Sequence, residues 1–144
     1  MNQEDAPPPV ESHAVLQDHW AWRMHMAGRI AAQLDPERFG VCALYVLGSA
    51  KNATAGPGSD IDLLVHLRGS ERQRADLVLW FEGWSLCLDE VNFLRTGKRT
   101  AGMLDVHLIT DDDIVQKSSF AVKIGAATDA AMPLPLRGRE RPSE

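Results

Sequence analysis

The sequence predicts a small α/β domain, of the α+β kind, in which helices pack on one small mixed β-sheet. Three observations carry that expectation. Residues 39–47 (Phe-Gly-Val-Cys-Ala-Leu-Tyr-Val-Leu) form a nearly continuous apolar run of strand length, the pattern of a strand covered on both faces. Residues 61–67 and 103–110 are two more runs rich in β-branched and aliphatic side chains, as strands require. Before and between these runs, apolar residues recur at three- and four-residue steps, the period of an amphipathic helix. The order helix, strand, strand, helix, strand suits one layered domain.

The elements follow in order. Residues 1–10 are acidic and Pro-rich and read as a flexible leader; this is the opposite of a secretory signal. Ser12 is the expected cap of a helix reaching Leu34, with Val15, Trp20, Met24, Ala27, Ile30 and Leu34 on its apolar side. Asp35-Pro36 stops it, because the residue before a proline leaves the helical region. After the strand at 39–47, Gly48-Ser49 opens a turn that holds a short helix, and Gly56-Pro57-Gly58-Ser59 turns the chain again.

The second strand spans 61–67, and Ser70 with Gln73 has the spacing of a capping box. The helix that follows, 71–94, lines up Leu77, Trp80, Phe81, Trp84, Leu88 and Val91, with Gly83 as the place where it would kink. The third strand covers 103–110. Asp111 to Asp113 suit the positive end of a short helix. Residues 120–124 stay open between strand and helix. The chain from Pro133 to Glu144 reads as a disordered Pro/Arg-rich tail, leaving 11–132 as the folded domain.

Composition narrows the function. At 144 residues the chain fits one domain with a real core. The net charge of −5, with basic residues scattered except at Arg95, Lys98 and Arg99 and in the tail, argues against a long nucleic acid as partner. Cys42 and Cys87 sit in apolar surroundings without metal spacing and read as buried thiols of a reducing, cytoplasmic protein. No apolar run approaches the ~20 residues of a membrane span.

The chemistry concentrates in residues 47–65. Side chains two apart on a strand share a face, so Asp60 and Asp62 project together. Two carboxylates so close repel unless a cation lies between them, and Mg²⁺ favours a few carboxylates plus substrate phosphates. Gly48 lets the backbone approach a phosphate, Ser49 and Ser59 offer hydroxyls, and Lys51 offers charge. A two-metal site needs a third carboxylate. Asp105, between Leu104 and Val106, is the choice, with Asp111 to Asp113 as alternatives. His107 shares the face of Asp105 and reads as an ordinary polar strand position.

Gly48-Ser49, ten residues, then Asp60-Ile61-Asp62 leading into an apolar strand resembles the polymerase-beta-type nucleotidyltransferase superfamily, and within it the minimal nucleotidyltransferase domains. The resemblance spans residues 39–110. It implies a nucleotidyltransferase fold and two Mg²⁺ ions on Asp60, Asp62 and Asp105. It further implies an NTP, usually ATP, held at Gly48, Ser49, Lys51 and Ser59, and NMP transfer to a hydroxyl acceptor, a small molecule or a protein. Where many members have Arg and Gly after Gly-Ser, this chain has Asn52 and Ala53. The family also contains antitoxins and inactive regulatory copies, so the rival expectation is a partner-binding module, or a homodimer, using the Trp80/Trp84 helix. His13, His19 and His25 recur every six residues, about 600° of helix, and do not stack as a metal site.

Overall fold

A computed structural model describes residues 18–118, 120–124, 126 and 130–138. The expected leader, the cap at Ser12, His13 and residues 139–144 of the expected tail lie outside the described residues.

Helix α1 (His19–Gln33) buries Trp22, Ala27, Ile30 and Ala31. Asp35-Pro36 does more than stop it. The Asp35 carboxylate accepts from the amides of Glu37 and Arg38, and Pro36 starts a second short helix, α2 (Pro36–Phe39), where its missing N–H costs nothing. Gly40, at φ +71°, closes α2. The expected strand therefore begins two residues late, as β1 (Val41–Leu47), and Phe39 is a buried helix residue against Trp80.

Helix α3 (Gly48–Lys51) follows β1 without a break, and β2 spans Ile61–Leu67. The capping box of Ser70 and Gln73 is formed, and it opens α4 (Glu71–Thr96). That helix runs unbroken through Gly83 and ends at Gly97, φ +79°. Strand β3 (Leu104–Ile109) leads to α5 (Asp111–Val115), whose cap pairs Thr110 with Asp113. Residues 121–123 form a single 3₁₀ turn, which settles the segment the sequence left open.

The tail does not begin at Pro133. Met132–Leu134 form β4, paired with β1, and Leu134 and Leu136 are buried in the main core. Pro133 is tolerated because β4 is an edge strand, where one N–H goes unused.

The sheet has four strands in the order β3-β2-β1-β4. β1 runs antiparallel to β2 and β4, whereas β2 and β3 are parallel. One face carries the main core under α1 and α4, with Ile30, Leu44, Ile61, Leu63, Val65 and Leu77 at its centre. The other face carries a smaller cluster of Leu47, Leu64, Ile109, Ala121 and Ala131. Trp80 and Trp84 pack against the main core, so the exposed large apolar residues of α4 are Val78, Leu79, Leu86, Val91, Phe93 and Leu94 instead, Val91 contrary to its expected place on the apolar side. Cys87 is exposed and Cys42 only half-buried, contrary to the expected buried pair. Among the described residues, no helix is long and apolar enough to cross a membrane.

Ala53 is one of the departures noted in the sequence. It sits at φ +61°, a left-handed conformation that costs a residue with a Cβ about 1 kcal/mol. Ala53→Gly is expected to raise the free energy of unfolding by about 0.5–1 kcal/mol, read from the urea midpoint. A lower midpoint would contradict this account of the turn.

Candidate active site

The parallel pairing of β2 and β3 assembles the site. Asp62 registers with Asp105, and Leu64 with His107, so Asp62, Asp105 and His107 share one face of the sheet. Ligand atoms of these three residues lie within 4.8 Å of one another. His107 Nε2 is 3.4 Å from Asp105 Oδ2, and its ring stacks on Phe120 at 3.8 Å between centroids. His107 therefore faces the site and is not an ordinary polar strand position.

On the other side, Leu47 registers with Asp62, and Gly48 follows at φ +72°. A Cβ on Gly48 would collide with Asp62 Oδ2. The glycine is favoured by its left-handed backbone conformation, and any side chain there would displace the Asp62 carboxylate.

Asp60 stands just before β2. With Ser49, Ser59, Thr100, Gly102 and Asp105 it lines a cleft of about 440 Å³. Asp62 faces a neighbouring cleft of about 300 Å³, lined also by Gly48, Asp105, His107, Phe120 and Lys123. Asp105 borders both clefts. Of the other residues singled out in the sequence, Lys51 donates from Nζ to the Ala130 carbonyl at 2.8 Å, tying α3 to the segment before β4. The Ser59 hydroxyl accepts from the Gly56 amide at 3.0 Å and so braces the turn ahead of Asp60.

The carboxyl groups of Asp60, Asp62 and Asp105 crowd one another. Partial burial, then the charges of Asp60 and Asp105 and a hydrogen bond with Asp105, push the Asp62 carboxyl up to about 6. Burial and Asp105 also raise Asp60, against the pull of a backbone hydrogen bond, Arg23 and His107. Two carboxylate oxygens and an imidazole nitrogen so close together fit a divalent cation. One consequence is testable without metal. The raised pKa means the folded protein holds a proton that the unfolded chain has released between pH 4 and 6. Stability in EDTA should therefore fall as pH rises through that window and level off above it. Melting temperatures across pH 4–7 check this, and Asp62→Asn should flatten the trend.

Sequence reading missed the residues that hold Asp60 in place. Arg23 of α1 is fully buried. Its Nε donates to the Ser59 carbonyl at 2.9 Å, and its Nη2 to the Pro57 carbonyl and to Asn92 Oδ1, each at 3.2 Å. Asn92 of α4, also fully buried, donates to the same Pro57 carbonyl at 2.9 Å and to the Lys98 carbonyl at 3.2 Å. Two buried side chains from two helices thus clamp the turn that delivers Ser59 and Asp60. The expected basic cluster is dispersed: Arg95 lies over Trp22, and Arg99 pairs with Asp89 and Glu90. Asp111 pairs with His66 and Arg68, and Asp113 caps α5, so these carboxylates serve structure rather than the site.

A family model described as the nucleotidyltransferase domain matches residues 30–120, a span that includes Gly48, Ser49, Asp60, Asp62 and Asp105. The chain belongs to the nucleotidyltransferase domain family. No curated protein and no solved structure matches it. Membership fits the mixed four-stranded sheet, and it implies nucleotidyl transfer with an NTP substrate and a divalent metal in general terms. In this nucleotidyltransferase domain the match ends at Phe120, the residue stacked on His107. β4 therefore lies beyond the family segment and completes the sheet from outside it.

Proposed function

We propose that this domain moves a nucleoside monophosphate from an NTP, ATP in the family's usual case, to a hydroxyl acceptor with the help of two Mg²⁺ ions. The observation that carries the reading is the pairing of Asp62 with Asp105 across parallel strands. That pairing sets the carboxylate of Asp105 on the boundary between the clefts of Asp60 and Asp62. Asp60, Asp62 and Asp105 would hold the ions, with Asp105, which borders both clefts, shared between them. Bound cations supply charge neutralisation for the phosphates. Ser49 and Ser59 line a cleft that would take the triphosphate, with the Gly48 turn and Lys51 assigned to the same role.

The acceptor oxygen bonds to the α-phosphorus while that phosphorus loses its bond to the oxygen of the β-phosphate. Pyrophosphate leaves with the electron pair, and the acceptor proton passes to Asp105 and then to water. Positioning and electrostatics carry most of such a reaction. A reducing cytoplasm suits Cys42 and Cys87, which form no disulfide.

A second reading is favoured by the exposed Leu79, Leu86 and Leu94 of α4: a partner-binding module that keeps the fold without turnover. Calorimetric titration of each NTP, with and without Mg²⁺, separates the two. Binding that requires Mg²⁺ supports the transferase, whereas no binding under either condition rejects it in favour of the module.

A further inference from the structure

The donor set at the centre of the site is not the all-oxygen set that Mg²⁺ prefers. His107 stands beside Asp105 on β3, and its ligand nitrogen lies within 4.8 Å of ligand oxygens of both Asp62 and Asp105. That spacing is close to what one coordination shell spans, since metal–ligand bonds of about 2.0–2.2 Å place donors about 3–4 Å apart. The imidazole does not reach the site by chance rotation. Its ring is fixed by the 3.8 Å stack on Phe120, nearly parallel at 19°. It is only partly exposed and directs Nε2 at Asp105 Oδ2. Asp60, in contrast, faces the adjoining cleft, where His107 is not among the lining residues. The two halves of the site therefore offer different chemistry: oxygen donors on the Asp60 side, two oxygens and one nitrogen on the Asp62 side.

We propose that His107 is a direct metal ligand together with Asp62 and Asp105, and that this half of the site takes a first-row transition ion, for which Mn²⁺ is the probe, in preference to Mg²⁺. Mg²⁺ is a hard ion that keeps oxygen ligands and water, whereas a first-row transition ion accepts imidazole readily. The inference rests on the metal-binding reading above and adds to it the identity of one ligand and the preference of one ion.

The test uses the full chain without nucleotide. Mn²⁺ binding is followed by electron paramagnetic resonance, Mg²⁺ is titrated as competitor, and the wild type is compared with His107→Ala and His107→Gln. The wild type is expected to bind Mn²⁺ at least tenfold more tightly than Mg²⁺. In both variants Mn²⁺ affinity should fall about tenfold or more while Mg²⁺ affinity changes by less than about threefold. Substoichiometric Mn²⁺ should broaden the His107 ring signals in the NMR spectrum of the wild type before those of His25, which is exposed on α1.

A merely neutralising role for His107 beside Asp105 predicts otherwise. Removing it would then raise or leave unchanged the affinity for both ions alike, and that result overturns the inference while leaving the metal site intact. Failure of the wild type to bind either ion overturns both the inference and the reading beneath it. Loss of the Phe120 stack is controlled by Phe120→Leu. That variant loosens the ring without removing the ligand, so it should lower Mn²⁺ affinity less than His107→Ala does, and a larger loss than that of His107→Ala contradicts direct ligation.

Discussion

Asp62→Asn is expected to remove Mg²⁺-dependent NTP binding and to lower transfer about a thousandfold, with the fold intact. The reasoning starts from register. Asp62 lies between β1 and β3, facing Leu47 on one side and Asp105 on the other, and its carboxylate rests over the α-carbon of Gly48. No other carboxylate can move into that place, because Asp60 is fixed by its turn and Asp105 by β3. Asparagine keeps the shape and loses the charge. If the loss of one metal ligand withdraws about 4 kcal/mol of transition-state stabilisation, the rate falls by about three decades.

Stability should move the other way. In the absence of metal, Asp62 is pressed by its own burial and by Asp60 and Asp105, so a neutral residue relieves repulsion at neutral pH. Calorimetry with Mg²⁺ and NTP, pyrophosphate release, and melting in EDTA report the three effects separately. Full transfer activity in the variant would sink the assignment of Asp62.

The pattern of what the sequence disclosed has a physical basis. Strand β2, the capping box at Ser70 and Gln73, and the Gly48-Ser49 and Asp60/Asp62 elements are written in residues close together in the chain, where spacing maps directly onto geometry. Asp105 and His107 were visible through the two-residue period of a strand, although only pairing with β2 places them beside Asp62. Gly48 was legible as a glycine that matters, but the nearest reason is steric: Asp62 occupies the space of its missing side chain. β4 was hidden because three residues containing a proline carry almost no strand signal, and its pairing with β1 is a tertiary event. Arg23 and Asn92 were hidden more deeply. They are 69 residues apart, and no local pattern tells a buried arginine from one on the polar face of a helix.

That hidden pair sets the second large prediction. Arg23→Met is expected to cost about 3–5 kcal/mol, because it strands buried partners that folding has already removed from water. The carbonyl of Ser59 would lose its charged donor, and Asn92 Oδ1 would lose its only side-chain donor among the described residues. Burial, then the nearby Arg95, hold the Arg23 pKa below its ordinary value, while Asp60 draws it upward. The guanidinium remains charged at any working pH, and Asp60 is the carboxylate that offsets it. Arg23→Lys should recover only part of the loss, since one ammonium cannot span the Ser59 and Pro57 carbonyls and Asn92 as a planar fork does. With domain stabilities of about 5–15 kcal/mol, the methionine variant should show a large drop in its urea midpoint, and the lysine variant a smaller one. Under conditions where the methionine variant still folds, its metal affinity should also be reduced, because the 57–59 turn that positions Asp60 has lost one of its two clamps. An unchanged urea midpoint in Arg23→Met would refute the clamp.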